Sequence, residues 1–547
     1  MRKSLFSLSP LLLAIPLLAG FLFFGCKEKL PAIFSIDPRI GTLGELLTIY
    51  GENFGRDQNE SYITIAGAPP TSSSYVSWQD DKITVKVPEF AETGLIYVHR
   101  NGLRSNPVLF ANRASMPQTA QGTELNNEPR IIAIEPKSAG IGSLISIQGS
   151  NFGASRENSG VWFAWDAELS PSAPAEHRSI ETVGIFDSEN GYDLWSEREI
   201  RVRVPDGAVS GNLEVRTPMG TSRSLYFEIT GKPGVKTFKD KRSYTVSYSV
   251  DIQVDDAQLP NALYLWLPKP ASSASQLNVR LLSRNMDPYV ENYRGTSLYQ
   301  LQDLTNRSSR QITLSYVMDV YTVETAVRTA NVKLDATAPV QTVYTAASSL
   351  IPSDNSDIKT QSAAIVGRER NPYQKAKLIY DWILKQIKIQ AEPLPGGALE
   401  ALEEKKADSY GAALLFCTLA RAAGVQAIPI SGVLVNRQRG TARHYWAEFW
   451  IDAFGWIPLD PGLGAGAAPP DFNLRENPAS YYFGNADNQR IAFSRGINLL
   501  SQMDPRGRVT GRPREFALQT LWEEATGGIE SYSSLWSDVT ITGMYAQ

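Results

Sequence analysis

The sequence predicts a multidomain chain in which β-sandwiches are followed by an α+β core. Three observations carry this. The chain has 547 residues and a mass of 60.3 kDa, more than one hydrophobic core can organise. Through the first 350 or so residues, glycine and proline punctuate short runs in which apolar and polar residues alternate, as half-buried strands require. From about residue 370 the apolar spacing becomes helical. With 42% hydrophobic and 20% charged residues the chain is globular in composition. A net charge of -4, with no basic stripe carrying interleaved aromatics, gives no electrostatic basis for a nucleic-acid partner.

The first element, residues 1–25, reads as a signal peptide. Arg2 and Lys3 precede a long apolar run that ends in a small residue before Cys26. An ordinary cleaved signal would make Cys26 incidental. The segment "LFFGC", with Gly25 before the cysteine and Leu22 upstream, resembles a bacterial lipobox, although Phe23 and Phe24 are bulkier than the strict pattern. That resemblance implies an exported protein, lipid-anchored through Cys26 to a membrane of the cell envelope and facing periplasm or exterior. The chain has two cysteines, so a lipidated Cys26 leaves Cys417 without a disulfide partner.

Residues 31–55 and 129–153 repeat each other without a gap. Eleven of 25 positions are identical, among them Pro38/Pro136, Gly44/Gly142, Gly51/Gly149 and both Asn-Phe-Gly triplets. A repeat of this length means two copies of one domain rather than a solenoid. Each copy has a late strand ending in proline, "KITVKVP" (82–88) and "EIRVRVP" (199–205). The pattern resembles the IPT/TIG domain, an immunoglobulin-like β-sandwich, over residues 30–112 and 129–231. The second copy carries extra residues at about 155–195, expected as an irregular surface loop, and the polar stretch 113–128 reads as a linker. Residues 235–345, with "YTVSYSVDIQV" and "RQITLSYVMDVYTV", predict a third β-sandwich. The core is expected at 346–500, and 501–547 as a C-terminal extension.

Within the core, "NPYQKAKLIYDWILKQIKIQ" places Ala376, Ile379, Tyr380, Ile383 and Ile387 on one helical face. A second helix, "DSYGAALLFCTLARAAG", follows, and then the strands "QAIPISGVLV", "HYWAEFWID" and "GWIPLDP". His444 and Asp460 lie sixteen residues apart around the turn-like segment 452–455. An antiparallel hairpin folded there brings them roughly opposite one another, within two or three residues of register. An aspartate so placed can fix a histidine's tautomer and stabilise its imidazolium. The other two histidines, His99 and His177, fall in a sandwich strand and in the inserted loop. On spacing alone, His444 is equally well a half-buried strand residue with a hydrogen-bonded partner.

The segment "ARHYWAEFWIDAFGWIPLDPG" resembles the His/Asp region of the transglutaminase-like superfamily, through His444, Trp446, Ala447, Glu448, Gly455, Trp456, Pro458, Asp460 and Pro461. The helix containing Arg421, Ala422 and Gly424 resembles that family's nucleophile helix. The tail 481–496 and the earlier "LWLPKP" also resemble segments flanking such cores. The resemblance implies a papain-like fold whose nucleophile stands at the helix N-terminus, where unsatisfied N–H groups and the helix dipole favour an anion. Cys417 fails that requirement, lying about 12 Å along the helix at 1.5 Å per residue, among Leu414, Leu415, Phe416 and Leu419. The family's cysteine position falls instead on Ser409, after Ala407 and Asp408.

A serine hydroxyl needs a general base during attack, so the resemblance implies a catalytic set of Ser409, His444 and Asp460. Three functions stay open. The chain is an amide or ester hydrolase or acyltransferase acting on peptide or cell-wall substrates. Or it is a transglutaminase-like pseudoenzyme that binds a protein partner. Or it is a structural surface lipoprotein. No metal-ligand spacing and no phosphate loop of the G-x-x-x-x-G-K-[ST] type occurs, so neither a metal nor a cofactor is expected.

Overall fold

A computed structural model describes residues 29–58, 61–88, 91–113, 127–167, 181–186, 190–332 and 342–546. The signal segment, Cys26, His177 and most of the linker lie outside the described residues. The chain divides into two compact units, 1–113 and 114–547.

The first unit is a two-sheet sandwich. One sheet runs Ala32–Asp37, Leu46–Glu52, Lys82–Lys86 and Tyr75–Trp78. The other runs Ile40–Gly41, Val108–Asn112, Gly94–Arg100 and Tyr62–Ile65. Ile49, Phe54, Ile83, Ile96 and Phe110 fill the space between them. Residues 129–231 repeat the design: Arg130–Glu135, Leu144–Ser150, Glu199–Arg203 and Tyr192–Trp195 pair in the same order. The shared glycine has a packing reason. A Cβ on Gly51 would sit 2.0 Å from the Ala32 carbonyl and 2.2 Å from the Phe54 ring. On Gly149 the same distances are 2.1 Å to Arg130 and 2.3 Å to Phe152. In each copy the phenylalanine of Asn-Phe-Gly folds back over a position that only glycine can occupy.

The stretch 155–195 is not one irregular loop. Gly160–Trp165 is an inner strand with Val161, Phe163 and Trp165 in the core, and Tyr192–Trp195 is an edge strand of the sandwich. The extra length lies between those strands. The apolar run "GVWFAW" is long enough to cross the sandwich, and burying it outweighs any loop tendency of its flanks.

The 35-residue strand Gly234–Pro268 organises the next β-domain. Its first half pairs with Ser309–Val327 and Thr540–Ala546, and its second half with Thr296–Gln302 and Glu523–Trp536. The segment 501–547, expected as a separate extension, therefore completes the sheet that was expected to end by 345. A strand this long presents two hydrogen-bonding edges, and the chain between 234 and 327 cannot cover both. Tyr244, Val246, Tyr248, Val250, Ile252 and Val254 alternate inward along it.

The α+β core stands on this domain. Its antiparallel sheet has the order Gly455–Leu459, Thr441–Ile451, Ala427–Val435, Arg490–Arg495. Helix Pro372–Gln386 starts at Asn371, whose side chain accepts from the N–H groups of Tyr373 and Gln374, and has Pro372 at its first position. It buries Ala376, Ile379, Tyr380 and Ile383, and Ile387 follows just past its end. Helix Ser409–Ala422 is buried along nearly its whole length and packs with Tyr445, Ala447 and Phe449 of the sheet. Val433, Val435, Ile491 and Phe493 join the core of the β-domain below. No helix among the described residues is long and apolar enough to cross a membrane.

Candidate active site

Ser409 is the first residue of helix Ser409–Ala422, after the N-cap Asp408. Asp408 Oδ1 accepts from Gly411 N at 2.9 Å, and the first intrahelical bond runs from Ala412 N to the Asp408 carbonyl, 3.0 Å. The N–H groups of Ser409 and Tyr410 have no partner within the helix and stand at its positive end. Ser409 is half-buried.

His444 and Asp460 come from the predicted hairpin, which turns at 452–455 with Ala453 and Gly455 at positive φ. The register pairs Ala447 with Leu459 and Ile451 with Gly455. Continued, it sets Asp460 across from Trp446, two residues from His444. An even offset keeps the side chain on the His444 side of the pleat. Asp460 also leaves the strand to cap the short helix Pro461–Gly464, its Oδ1 accepting from Leu463 N at 2.9 Å. Its Oδ2 lies 2.8 Å from His444 Nε2. Both side chains are buried, at 4% and 1% exposure.

Gly462 shows where the three meet. A Cβ on that residue would lie 3.2 Å from His444 Cε1, 3.2 Å from Ser409 Cβ and 3.4 Å from Asp460 Oδ1. Ser409 Cβ and His444 Cε1 are therefore within twice 3.2 Å of each other, with the bare Gly462 backbone beside them. Among the described residues no hydrogen bond joins the Ser409 hydroxyl to the imidazole.

Sequence reasoning missed the groups behind this pair. Arg490 Nη1 donates to Asp460 Oδ2 at 3.0 Å, and its Nη2 donates to Asp487 Oδ2 at 3.0 Å. The Tyr482 hydroxyl donates to the same Asp487 oxygen at 2.9 Å. Burial raises the cost of ionising Asp460, but the His444 ring and the Arg490 guanidinium outweigh it and hold the carboxyl below its ordinary range. Asp487 is likewise desolvated and is likewise held low by Arg490. A carboxylate only accepts, so His444 Nε2–H donates to Asp460, and in the neutral ring this leaves Nδ1 as the acceptor. The signal in the sequence was "NADNQR" at 485–490, an acid and an arginine at i, i+3 before a buried strand.

The remaining candidates lie elsewhere. Cys417 is fully buried in the core around helix Ser409–Ala422, and that burial pushes its thiol up to about 12. His99 stacks on Tyr62 at 4.5 Å and contacts Thr64 Oγ1 at 3.2 Å, in the first unit. Among the described residues no three His, Cys, Asp or Glu side chains gather as a metal site would require.

Residues 359–461 match the transglutaminase-like superfamily, and residues 31–111 match the IPT/TIG domain. An uncharacterized protein of Haemophilus influenzae is 23% identical over 313 residues, covering 50% of this chain and 83% of that protein. A cyclomaltodextrin glucanotransferase of Paenibacillus macerans is 32% identical over 85 residues, 16% of this chain and 12% of that enzyme. Among solved structures, a candidate cysteine protease from Cytophaga hutchinsonii aligns over 57% of this chain and 92% of its own, at 15% identity and a TM-score of 0.32. The chain is thus a multidomain, mostly β protein that carries an immunoglobulin-like IPT/TIG domain near its N-terminus and a transglutaminase-like core towards its C-terminus.

Proposed function

We propose that the core is an acyl-transfer site that uses Ser409 as nucleophile, His444 as general base and Asp460 as the group that orients the base. The observation that carries this reading is the buried His444–Asp460 pair, set near a serine at a helix N-terminus, with the bare Gly462 beside all three. In the reaction, Ser409 Oγ bonds to the acyl carbon of an amide or ester while His444 Nδ1 takes the hydroxyl proton. The Ser409 and Tyr410 N–H groups face the oxyanion. The same proton passes to the departing amine or alcohol as its bond to the acyl carbon breaks. Water, or an acceptor amine, then releases the acyl group. Peptide or cell-wall amides are the proposed substrates, reached by an exported chain that Cys26 anchors to a membrane of the cell envelope.

A serine-directed fluorophosphonate should label Ser409, and Ser409→Ala should abolish the label. A folded protein that takes no label overturns the reading. One observation favours the alternative, a transglutaminase-like pseudoenzyme serving as a binding module: the hydroxyl makes no bond to its base. Ser409→Cys separates the two. A thiol there that reacts near neutral pH reports a competent His444–Asp460 pair, and an inert thiol favours the binding module. Anchoring has its own test, since Cys26→Ala should release the protein from membranes.

A further inference from the structure

We infer that Arg514 is a positioning residue for this site, one that cancels the charge of Asp408 beside the nucleophile. The inference rests on the acyl-transfer reading and adds a residue from the far C-terminal segment.

Asp408 poses an electrostatic problem. It is the N-cap, so its carboxylate orders the first turn of the helix and must stay close to Ser409. Acyl transfer builds negative charge at that same turn, and a buried carboxylate on the preceding residue opposes it. The structure supplies a counter-charge. Arg514 lies just before the strands that complete the β-domain, with φ of 68°, and Nη1 of its side chain pairs with Asp408 Oδ2. Its Nη2 donates to the Gly396 carbonyl at 2.6 Å, and the guanidinium lies 4.5 Å from the centre of the Tyr410 ring. Leu394 N donates to Asp408 Oδ2 at 3.1 Å. Arg514 therefore ties the N-cap, the loop around 394–397 and the residue after Ser409 to one cation. Further charged groups stand around this mouth: Glu400, bound to Gly397 N at 2.7 Å, the His444–Asp460 pair with Arg490 behind it, and the Arg443–Glu515 pair, which acts with Arg514 on Tyr445 beside the Tyr410 ring.

The charge argument separates from simple scaffolding, because asparagine caps a helix as well as aspartate does but carries no charge. In the full chain bearing Ser409→Cys, the alkylation rate of residue 409 by iodoacetamide is followed against pH by peptide mapping. Its inflection reports the thiolate. Adding Arg514→Gln should raise the inflection by roughly one pH unit, since a like charge is left uncompensated nearby. Adding Asp408→Asn to that variant should bring it back, and Arg514→Lys should hold it. A shift that Asp408→Asn does not reverse makes Arg514 merely structural and overturns the inference. So does a reactive thiol indifferent to Arg514→Gln. A Ser409→Cys thiol that does not react near neutral pH instead overturns the acyl-transfer reading itself, and this inference with it.

Discussion

At the scale of single residues, environment decides chemistry more than residue type does. Cys417 has the more nucleophilic atom, but low-dielectric surroundings disfavour its thiolate, and no surface reaches it. In the native protein Cys417 should resist thiol reagents at pH 8 and react once the chain is unfolded. Cys417→Ala should leave fluorophosphonate labelling of Ser409 intact, and loss of label in a folded variant would return Cys417 to the chemistry. Asp460 and Asp487 show the converse case, buried acids kept ionised by Arg490. Their folded-state values are depressed, so the stability they contribute is present above about pH 4, the ordinary unfolded value. It is lost as pH falls through the lower folded values. The midpoint of thermal unfolding should therefore drop steeply below about pH 4. Asp487→Asn should be less stable at pH 7 and should lose part of that acid dependence.

At the scale of elements, the site is a convergence of a helix start and a strand end. At both, side chains supply partners that backbone groups lack: Asp408 caps helix Ser409–Ala422, and Asp460, at the strand end, caps the short helix Pro461–Gly464 that follows. Gly462 lets these ends approach. In Gly462→Ala the new Cβ would stand 3.2 Å from both His444 Cε1 and Ser409 Cβ, which pushes the proposed base and nucleophile apart. Labelling of Ser409 should fall by about tenfold to a hundredfold, since small misplacements of reacting groups carry costs of that order. The fold should persist, as judged by an unfolding midpoint within a few degrees of the parent. Unchanged labelling would mean that Gly462 is there only for the turn.

At the scale of the whole molecule, the second sandwich clamps the hairpin that bears His444 and Asp460. Ala453 N donates to the Ile141 carbonyl at 3.1 Å, and a Cβ on Gly455 would strike Asp206 at 2.0 Å. Lys236 Nζ sits 2.5 Å from Asp206 Oδ1 and 2.7 Å from the Trp456 carbonyl, joining sandwich, β-domain and core beside a cavity of about 40 Å³. Both side chains of this pair are 8% exposed. Lys236→Met strands a buried carboxylate and should cost about 3–5 kcal/mol in denaturant unfolding. Pairing it with Asp206→Leu should recover most of that loss. Additive losses in the double variant would show that the pair contributes little.

Local pattern was enough for much of this protein. The repeat at 31 and 129 is legible because its glycines and Asn-Phe-Gly triplets answer to contacts made within one copy. The 376–387 helix face and the 452–455 turn are legible for the same reason: period and turn chemistry act over a few residues. The His444–Asp460 pairing followed from that turn, whereas the move from Cys417 to Ser409 rested on the resemblance to the transglutaminase-like superfamily, which implies a nucleophile at the helix N-terminus, together with helix rise. Partners distant in sequence were decided only by the tertiary structure. Residues 523–546 read as an appendage until the two edges of Gly234–Pro268 require them. Arg490 and Arg514 are ordinary arginines until folding sets one behind Asp460 and the other on Asp408. Nothing local encodes such contacts, because a charge chooses its partner only after burial has removed the water that would otherwise solvate it.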